Sequence, residues 1–310
     1  MKTKISIVTS LYKSRVFLEE FISRTLFSLN EIGCFDFEII FVNDGSPDNS
    51  VEFLISKQKE INQIKIIDLA RNFGHHYALQ TGLKYAKGDY IFMLNPDTEF
   101  QENSIEKLRQ FLEDNKSVGI VAPGLLNTDG THQSSVWRYP SLFSIFCEFH
   151  YLSSLLKRKN YLDKDFTKQF EAESFSGAAI FFRKSVLDKI GNLDETMFWI
   201  EDVEFCYRAV QKGIKCVYFP ETKIIHHIGQ SAKKNYTISI SNQVFNKIKF
   251  FNKHHSNFSA KLVILLSFLH VVQKSIVFGI LSPFNVVYKR KASAYRYTIF
   301  KVFNPPKGIA

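Results

Sequence analysis

Apolar residues in the first hundred positions come in short runs, and two of these runs stop at an acidic turn. KISIVTS, ending at Ser10, reads as a buried strand. FEIIFVNDGSPDNS (Phe37–Ser50) predicts a second strand that ends at Asn43-Asp44-Gly45-Ser46. There Gly45 permits a tight turn, and Asp48, Asn49 and Ser50 are caps for a following helix. A third run, IKIIDL (Ile64–Leu69), precedes RNFGHHYALQTGLKYAKGDY, which predicts a helix with turn signals at both ends. YIFMLNPDTEF (Tyr90–Phe100) then predicts a strand halted at Asn95-Pro96-Asp97. Three β–α alternations before Asp97 predict a parallel, doubly wound α/β sheet. Ligands bind such sheets beyond the carboxyl ends of the strands, so Asp44 and Asp97 are expected to face one crevice.

Two later segments carry the same kind of signal. Phe198-Trp199-Ile200-Glu201-Asp202-Val203-Glu204 places three acids at the start of a helix that closes at Gly213. Acids in a first helical turn are favoured by the macrodipole whatever their function. The aromatic residues before them can also wall a pocket and raise a carboxylate's pKa by desolvation, which improves a general base. IIHHIGQS (Ile224–Ser231) ends another β-like run with His226 and His227. Alternation along a strand lets only one of the two reach a given face. Neutral imidazole is a good ligand for Mn²⁺, and a carboxylate beyond a strand end suits Mg²⁺ or Mn²⁺ shared with substrate phosphates. An Asn-Pro-Asp turn that merely caps the next helix would produce the same pattern at Asp97.

The tail has a different texture. Ala260–Phe284 is nearly long enough to span a bilayer, but Ser267, His270 and Lys274 fall at i, i+3 and i+7 beside Gln273 and form one polar stripe. Lys253 and Lys261 flank it on one side, and Lys289, Arg290 and Lys291 on the other. Such a helix fits a membrane surface, its apolar face in the acyl boundary and its cations on anionic headgroups at ~1 kcal/mol each. Tyr288, Tyr295, Tyr297 and Phe300 suit the interface as well. A core helix packed on the rest of the protein is the other reading.

Charge sharpens that boundary. The 310-residue chain carries 40 Lys and Arg against 30 Asp and Glu, a net charge of +10. Glu221 is the last acid, and 14 of the cations follow it, so the excess of positive charge lies in the tail. The sequence holds no recognised nucleic-acid motif, and the apolar run inside the basic region fits lipid better than nucleic acid. Cys34, Cys147, Cys206 and Cys216 have no CxxC spacing and lie in apolar surroundings, which predicts reduced, buried thiols in a cytosolic protein and no zinc site. Met1-Lys2-Thr3-Lys4 leads directly into a strand, without a long apolar signal region.

VNDGSPDNS, the RNFGHHYALQTGLKYAKGDY helix, LNPDTE, FSGAAIFFRKSVLDKIG and IEDVEFCYRAVQKG, in that order, resemble the family 2 glycosyltransferases of GT-A fold. The resemblance covers roughly residues 3–231. LNPDTE with the Glu-Asp motif and the late His-His pair is similar to the bacterial rhamnosyltransferase-like members. It implies a GT-A, Rossmann-like, mostly parallel central sheet flanked by helices, with a membrane-associating helical segment appended. Residues 1–235 would form the transferase domain, with a nucleotide-sugar half (1–100) and an acceptor half (101–235), and 236–310 the membrane-association region.

The resemblance also implies roles. The expected activity is inverting transfer of a sugar, rhamnose by resemblance, from a UDP- or dTDP-sugar to a saccharide or lipid-linked glycan. Its setting would be cell-surface polysaccharide synthesis, on the inner face of the membrane. Asp44 is placed to accept the imide N–H of uracil or thymine, with Thr9 and Tyr12 nearby. The family pattern there is Asp-Asp-Gly-Ser, and Asn43 departs from it by one charge. Asp97 stands at the second position of the family's Asp-x-Asp and would hold the divalent cation, Mn²⁺ or Mg²⁺, with His226. Asn95 replaces the first carboxylate, which in the family contacts ribose or metal-bound water. Asp202 is implied as the base that takes the acceptor's proton, Glu201 as a group orienting a sugar hydroxyl, and Glu204 as the partner of a nearby cation. Gly177, in Ser176-Gly177-Ala178-Ala179, would let backbone approach the donor sugar, and Arg71 and Asn72 are placed to contact the donor. Arg138 and the Phe-rich stretch Leu142–Leu156 fall in the acceptor half, most of the latter reading as core or membrane-facing surface. A polyprenyl-phosphate sugar synthase is the alternative enzyme, and a degenerate nucleotide-sugar-binding protein the non-enzyme.

Overall fold

The computed structural model describes residues 4–30, 36–101, 103–149, 161, 163–227 and 236–306. The chain divides into two compact units, one of Met1–Tyr139, Lys164–Glu195 and Glu201–Ile228, the other of Pro140–Asp163, Thr196–Ile200 and Gly229–Ala310. The second unit therefore draws two short segments out of the stretch assigned from sequence to the transferase domain.

In the first unit, β1 (Lys4–Leu11), α1 (Arg15–Asn30), β2 (Asp36–Asn43), α2 (Ser50–Gln58), β3 (Ile64–Asp68), α3 (His75–Tyr85) and β4 (Tyr90–Leu94) alternate as the apolar runs predict. β1 pairs in parallel with β2 and β4, and β2 with β3. Every residue of β4 is buried, the continuous apolar pattern of a strand covered on both faces. The strand that starts at Tyr90 halts at the Asn-Pro-Asp turn as the sequence predicts, and a short β5 (Thr98–Phe100) follows the turn. After α4 (Ser104–Asp114), β6 (Val118–Leu126), β7 (His132–Gln133), β8 (Val136–Trp137) and α5 (Leu142–Phe149) come β9 (Phe170–Glu171), β10 (Ser174–Phe175), β11 (Ala179–Arg183), α6 (Lys184–Ile190), α7 (Glu201–Gln211) and β12 (Lys215–His226).

Among the described residues the main sheet runs β3-β2-β1-β4-β11-β6-β12-β5, with β7 on β6 and β9 on β12. Its first half is parallel. β11 then inserts antiparallel between β4 and β6, and β5 pairs antiparallel with β12. These pairings join residues far apart in the chain, so local periodicity carries no trace of them. Aromatic side chains fill the core at that junction: Phe181 stacks on Tyr90 at 5.5 Å between ring centroids and meets Phe92 edge-on at 5.4 Å. Much of the chain's phenylalanine is thus core.

The second unit contains α5, α8 (Tyr236–His254), α9 (Asn257–Leu281) and α10 (Val286–Ile299). Of the Phe-rich stretch Leu142–Leu156, α5 is described and residues 150–156 lie outside the described residues. The polar stripe of α9 is split: Ser267, His270 and Lys274 turn inward, and Gln273 is exposed. Ser267 is fully buried, and His270 and Lys274 line a cavity of about 220 Å³ with Lys247, Glu148 and Tyr295. Lys247 forms an ion pair with Glu148, and burial lowers its pKa to about 8. Cys147, Cys206 and Cys216 are buried free thiols, and Cys34 lies outside the described residues.

Candidate active site

The carboxyl ends of the strands gather the polar residues of the first unit. At the end of β4, Asn95 N–H donates to Ala178 O of the neighbouring β11 approach (2.9 Å), and Thr98 Oγ1 donates to Asn95 O (2.7 Å). β5 then runs back along β12, in the register His226 against Thr98. That register sets His226 beside the Asn-Pro-Asp turn, its Nε2 at 3.4 Å from Asp97 Oδ1 and 3.5 Å from Asn95 Nδ2. His227 goes elsewhere: its Nε2 meets Glu99 Oε1 at 2.5 Å and its main-chain N–H donates to Asp97 O at 2.8 Å. The strand alternation that lets one histidine reach the site selects His226.

Gln133 orients that histidine. Its side-chain amide Nε2 donates to His226 O (3.1 Å) and to Asn127 Oδ1 (3.0 Å). Its Oε1 is therefore the acceptor facing His226 Nδ1 at 2.7 Å. Nδ1 then carries the proton, and Nε2 presents its lone pair toward Asp97. A hydrogen bond of this kind fixes tautomer and ring angle at metal-binding histidines. No pattern in the sequence marks Gln133, which lies 93 residues from its partner.

The local chemistry suits a divalent cation. Asp97 is 9% exposed, and Asn95 Oδ1 is buried with no hydrogen-bond partner among the described residues. One carboxylate oxygen and one imidazole nitrogen, with the Asn95 amide beside them, form a partial donor set that suits Mn²⁺. Among the described residues no three His, Cys, Asp or Glu side chains converge, so phosphate oxygens of a substrate would complete the coordination.

At the ends of β1 and β2 the arrangement is tighter. Asp44 is 2% exposed, and its two oxygens accept the N–H groups of Phe73 (2.6 Å) and Gly74 (2.9 Å), the two residues that lead into α3. Burial raises its pKa, and those two hydrogen bonds oppose the rise. A base bound here would share the lone pairs that remain. Asn43, the departure from the acidic pair, donates to Asp68 Oδ1 (2.7 Å) and accepts from Ser46 N (3.2 Å). Thr9 is fully buried on β1, whereas Tyr12 is 41% exposed and Arg71 and Asn72 are exposed. His75 heads α3 within 2.5 Å of Ser10 Oγ. Burial and His76 lower its pKa to about 4 against the opposing charge of Asp97, so the ring is neutral at pH 7.

Gly45 couples these strand ends. Its φ is +61°, and a Cβ there would lie 2.5 Å from Arg71 C and 2.6 Å from Asn72 N. A side chain would displace backbone and disturb the Asp44 hydrogen bonds as well. Gly45→Ala is expected to destabilise the protein by about 2 kcal/mol or more, read as a lower urea midpoint with unchanged slope.

Asp202 stands in the first turn of α7. Its Oδ2 accepts Gly177 N–H and its Oδ1 accepts Val203 N–H, both at 2.7 Å. A Cβ on Gly177 would lie 3.4 Å from Asp202 Oδ2, in ordinary van der Waals contact. Burial raises the Asp202 pKa to about 6, outweighing the two main-chain donors. Glu201 precedes it, partly buried. Glu204 is fully buried and takes Arg208 Nε on both oxygens at 2.9 Å. Arg208 also binds Asn192 O (2.8 Å) and Ile190 O, so this pair ties α7 to the end of α6. Arg138 binds Glu173 Oε1 at 2.9 Å. Trp199, in the second unit, holds φ at +95°, a conformation that is strained for a bulky residue.

Comparison with known proteins agrees with this architecture. The fold is similar to the mannosyltransferase PcManGT of Pyrobaculum calidifontis, solved with GDP-Man and Mn²⁺: TM-score 0.58, 13% identity, 98% of this chain and 88% of that one. It is also similar to GalNAc-T7 solved with UDP, GalNAc and Mn²⁺, at TM-score 0.53 and 16% identity over 80% of this chain and 50% of that one. In sequence, a Mycobacterium tuberculosis protein named as a glycosyltransferase is 42% identical over 96 residues, 31% of this chain. An uncharacterised glycosyltransferase of Synechocystis sp. is 36% identical over 108 residues, 35% of this chain. These matches span only 28% and 34% of the two relatives' own lengths. The model of the family described as "Glycosyl transferase family 2" matches residues 6–191, more than half of the chain from β1 to α6, and the protein belongs to that family.

Proposed function

We propose that the protein is an inverting hexosyltransferase acting in cell-surface glycan synthesis. It moves a sugar, rhamnose by resemblance, from a UDP- or dTDP-sugar to a hydroxyl of a saccharide or lipid-linked glycan. The observation that carries this reading is Asp202. It is a carboxylate with a pKa of about 6, aimed by Gly177 and Val203, ionised at neutral pH yet basic enough to accept a proton in a transition state. The acceptor O–H gives its proton to Asp202, its oxygen forms the bond to the anomeric carbon, and the bond from that carbon to the diphosphate breaks. The electron pair leaves with the nucleoside diphosphate. A single base and a single displacement invert the anomeric centre.

Asp97, His226 and Asn95 are the residues that would hold a divalent cation, which supplies charge neutralisation at the leaving diphosphate. Both structural neighbours were solved with Mn²⁺, one with GDP-Man and the other with UDP, which supports a nucleotide-sugar donor. Residues 1–235 would carry the transfer, with Asp44, Tyr12, Arg71 and Asn72 toward the donor and Glu201 toward a sugar hydroxyl.

The test is nucleoside-diphosphate release from UDP-, dTDP- and GDP-sugars, with glycan or polyprenyl-phosphate acceptors, in Mn²⁺, Mg²⁺ or EDTA. Release from one donor, abolished by EDTA and restored by either ion, is the expected result. Transfer to bare polyprenyl phosphate would make the protein a lipid-phosphate sugar synthase, and absence of donor binding across the panel would overturn the assignment.

A further inference from the structure

The face that α9 turns outward is largely apolar, with Lys261 and Gln273 among its exposed polar residues. Phe258, Leu265, Leu269, Ile276 and Ile280 are 76%, 51%, 50%, 58% and 68% exposed. Their spacings of seven, four, seven and four residues place all five on one line along the helix. A helix of a water-soluble bundle has the opposite polarity, apolar within and polar without. Here Ser267, His270 and Lys274 share the inward face with Ala260, Val263 and Val271, and the larger apolar side chains are left outside. Apolar exposure continues through the turn to α10 with Phe284 (82%) and Val286 (67%). An apolar surface so continuous marks an interaction site. Its surroundings identify the partner by charge: no acidic residue follows Glu221, and Lys289, Arg290 and Arg296 of α10 are exposed.

We propose that α9 lies in the plane of an anionic bilayer, with its outward stripe among the acyl chains and the cations of α10 at the headgroups, and that it does not cross the membrane. By length and mean hydropathy α9 is able to cross: it has 25 residues, and its most apolar window of 18 averages 1.9. What it packs against argues for the plane. α10 runs back alongside it, with Tyr288 and Tyr295 both 5.7 Å from Phe278, and Phe303 5.1 Å from Phe268. A crossing α9 would carry Lys289, Arg290 and Arg296 to hydrocarbon depth, together with the Lys247–Glu148 pair and Lys274 behind it. Cations at that depth are strongly disfavoured, and the 14-residue α10 is too short to cross beside it. Lying flat buries the stripe and leaves every charge at headgroup level or within the protein. Reduced thiols and anionic lipid both fit the cytoplasmic leaflet.

The full-length protein is tested by flotation with vesicles of phosphatidylcholine alone and with 30–40 mol% phosphatidylglycerol. Flotation with the anionic vesicles, reversed by ~1 M salt or alkaline carbonate, is expected. Leu265→Asp with Ile276→Asp should lower the bound fraction at least tenfold, with an unchanged circular dichroism spectrum because both side chains are exposed. In Leu265→Trp and Ile276→Trp, brominated lipids should quench the added fluorescence with the same shallow depth profile. Absence of flotation overturns the partner, and retained flotation of the double aspartate variant overturns the face. Carbonate resistance, or one tryptophan deep and the other shallow, overturns the in-plane placement. None of these readouts depends on glycosyl transfer, so a silent donor panel leaves them intact.

Discussion

Asp202→Asn lowers kcat by roughly 10²- to 10⁴-fold, the range that general-base catalysis contributes, while donor KM changes by no more than a few-fold. The amide keeps an oxygen to accept Gly177 N–H and gives up the Val203 N–H bond, because its NH2 cannot accept, so the variant loses the base together with one hydrogen bond. The parent enzyme's kcat/KM should rise about tenfold per pH unit below pH 6 and level off above it, because the Asp202 pKa lies at about 6. The variant should lack that limb. Stability gives the complementary readout. The folded-state pKa is raised from 3.8, so the favourable contribution of the protonated group is complete below pH 4 and is lost as pH rises through 6. Asparagine carries no such ionisation, so the variant's stability should lack the decline that the parent shows between pH 4 and 7. A variant with near-parental turnover would remove Asp202 from the mechanism.

Asp97→Ala has the next largest effect. Loss of a direct metal ligand should cost more than the 10–100-fold typical of an outer partner, so kcat/KM is expected to fall by at least about 10²-fold. The loss should take the form of a raised Mn²⁺ requirement. His226→Ala should behave alike, and His227→Ala should not, because Glu99 rather than Asp97 holds that ring. Titrating activity against Mn²⁺ separates the two histidines. Equal sensitivity of both variants, or activity indifferent to the ion, would dismiss the cation site.

The site was legible in the sequence where chemistry sits at a strand end. An apolar run broken by Asn95-Pro96-Asp97 locates a carboxylate past β4, since a fully buried strand admits no acid until it leaves the sheet. Three acids after Phe198-Trp199-Ile200 likewise announce the start of α7. Asp44 was legible as a turn acid, but its engagement was not: both oxygens hold the N–H groups that open α3, a contact across 29 and 30 residues. Thr9 shows the same limit, because a polar residue at a strand's end reads alike whether it faces a crevice or the core.

Local order in the chain determined the alternating β–α half of the sheet, the tight turn at Gly45, the helix of the Glu-Asp motif and the segregation of positive charge beyond Glu221. Each follows from neighbours within a few residues, where steric and hydrophobic periodicity act directly. Tertiary packing alone decided the antiparallel insertion of β11, the choice of His226 over His227 and the orientation of that ring by Gln133. It also decided which face of α9 is covered. Periodicity establishes that Ser267, His270 and Lys274 share one side of a helix and Leu265, Leu269 and Ile276 another. Only the elements packed against α9 determine that Ser267, His270 and Lys274 turn inward and that the Leu265, Leu269 and Ile276 side is left open.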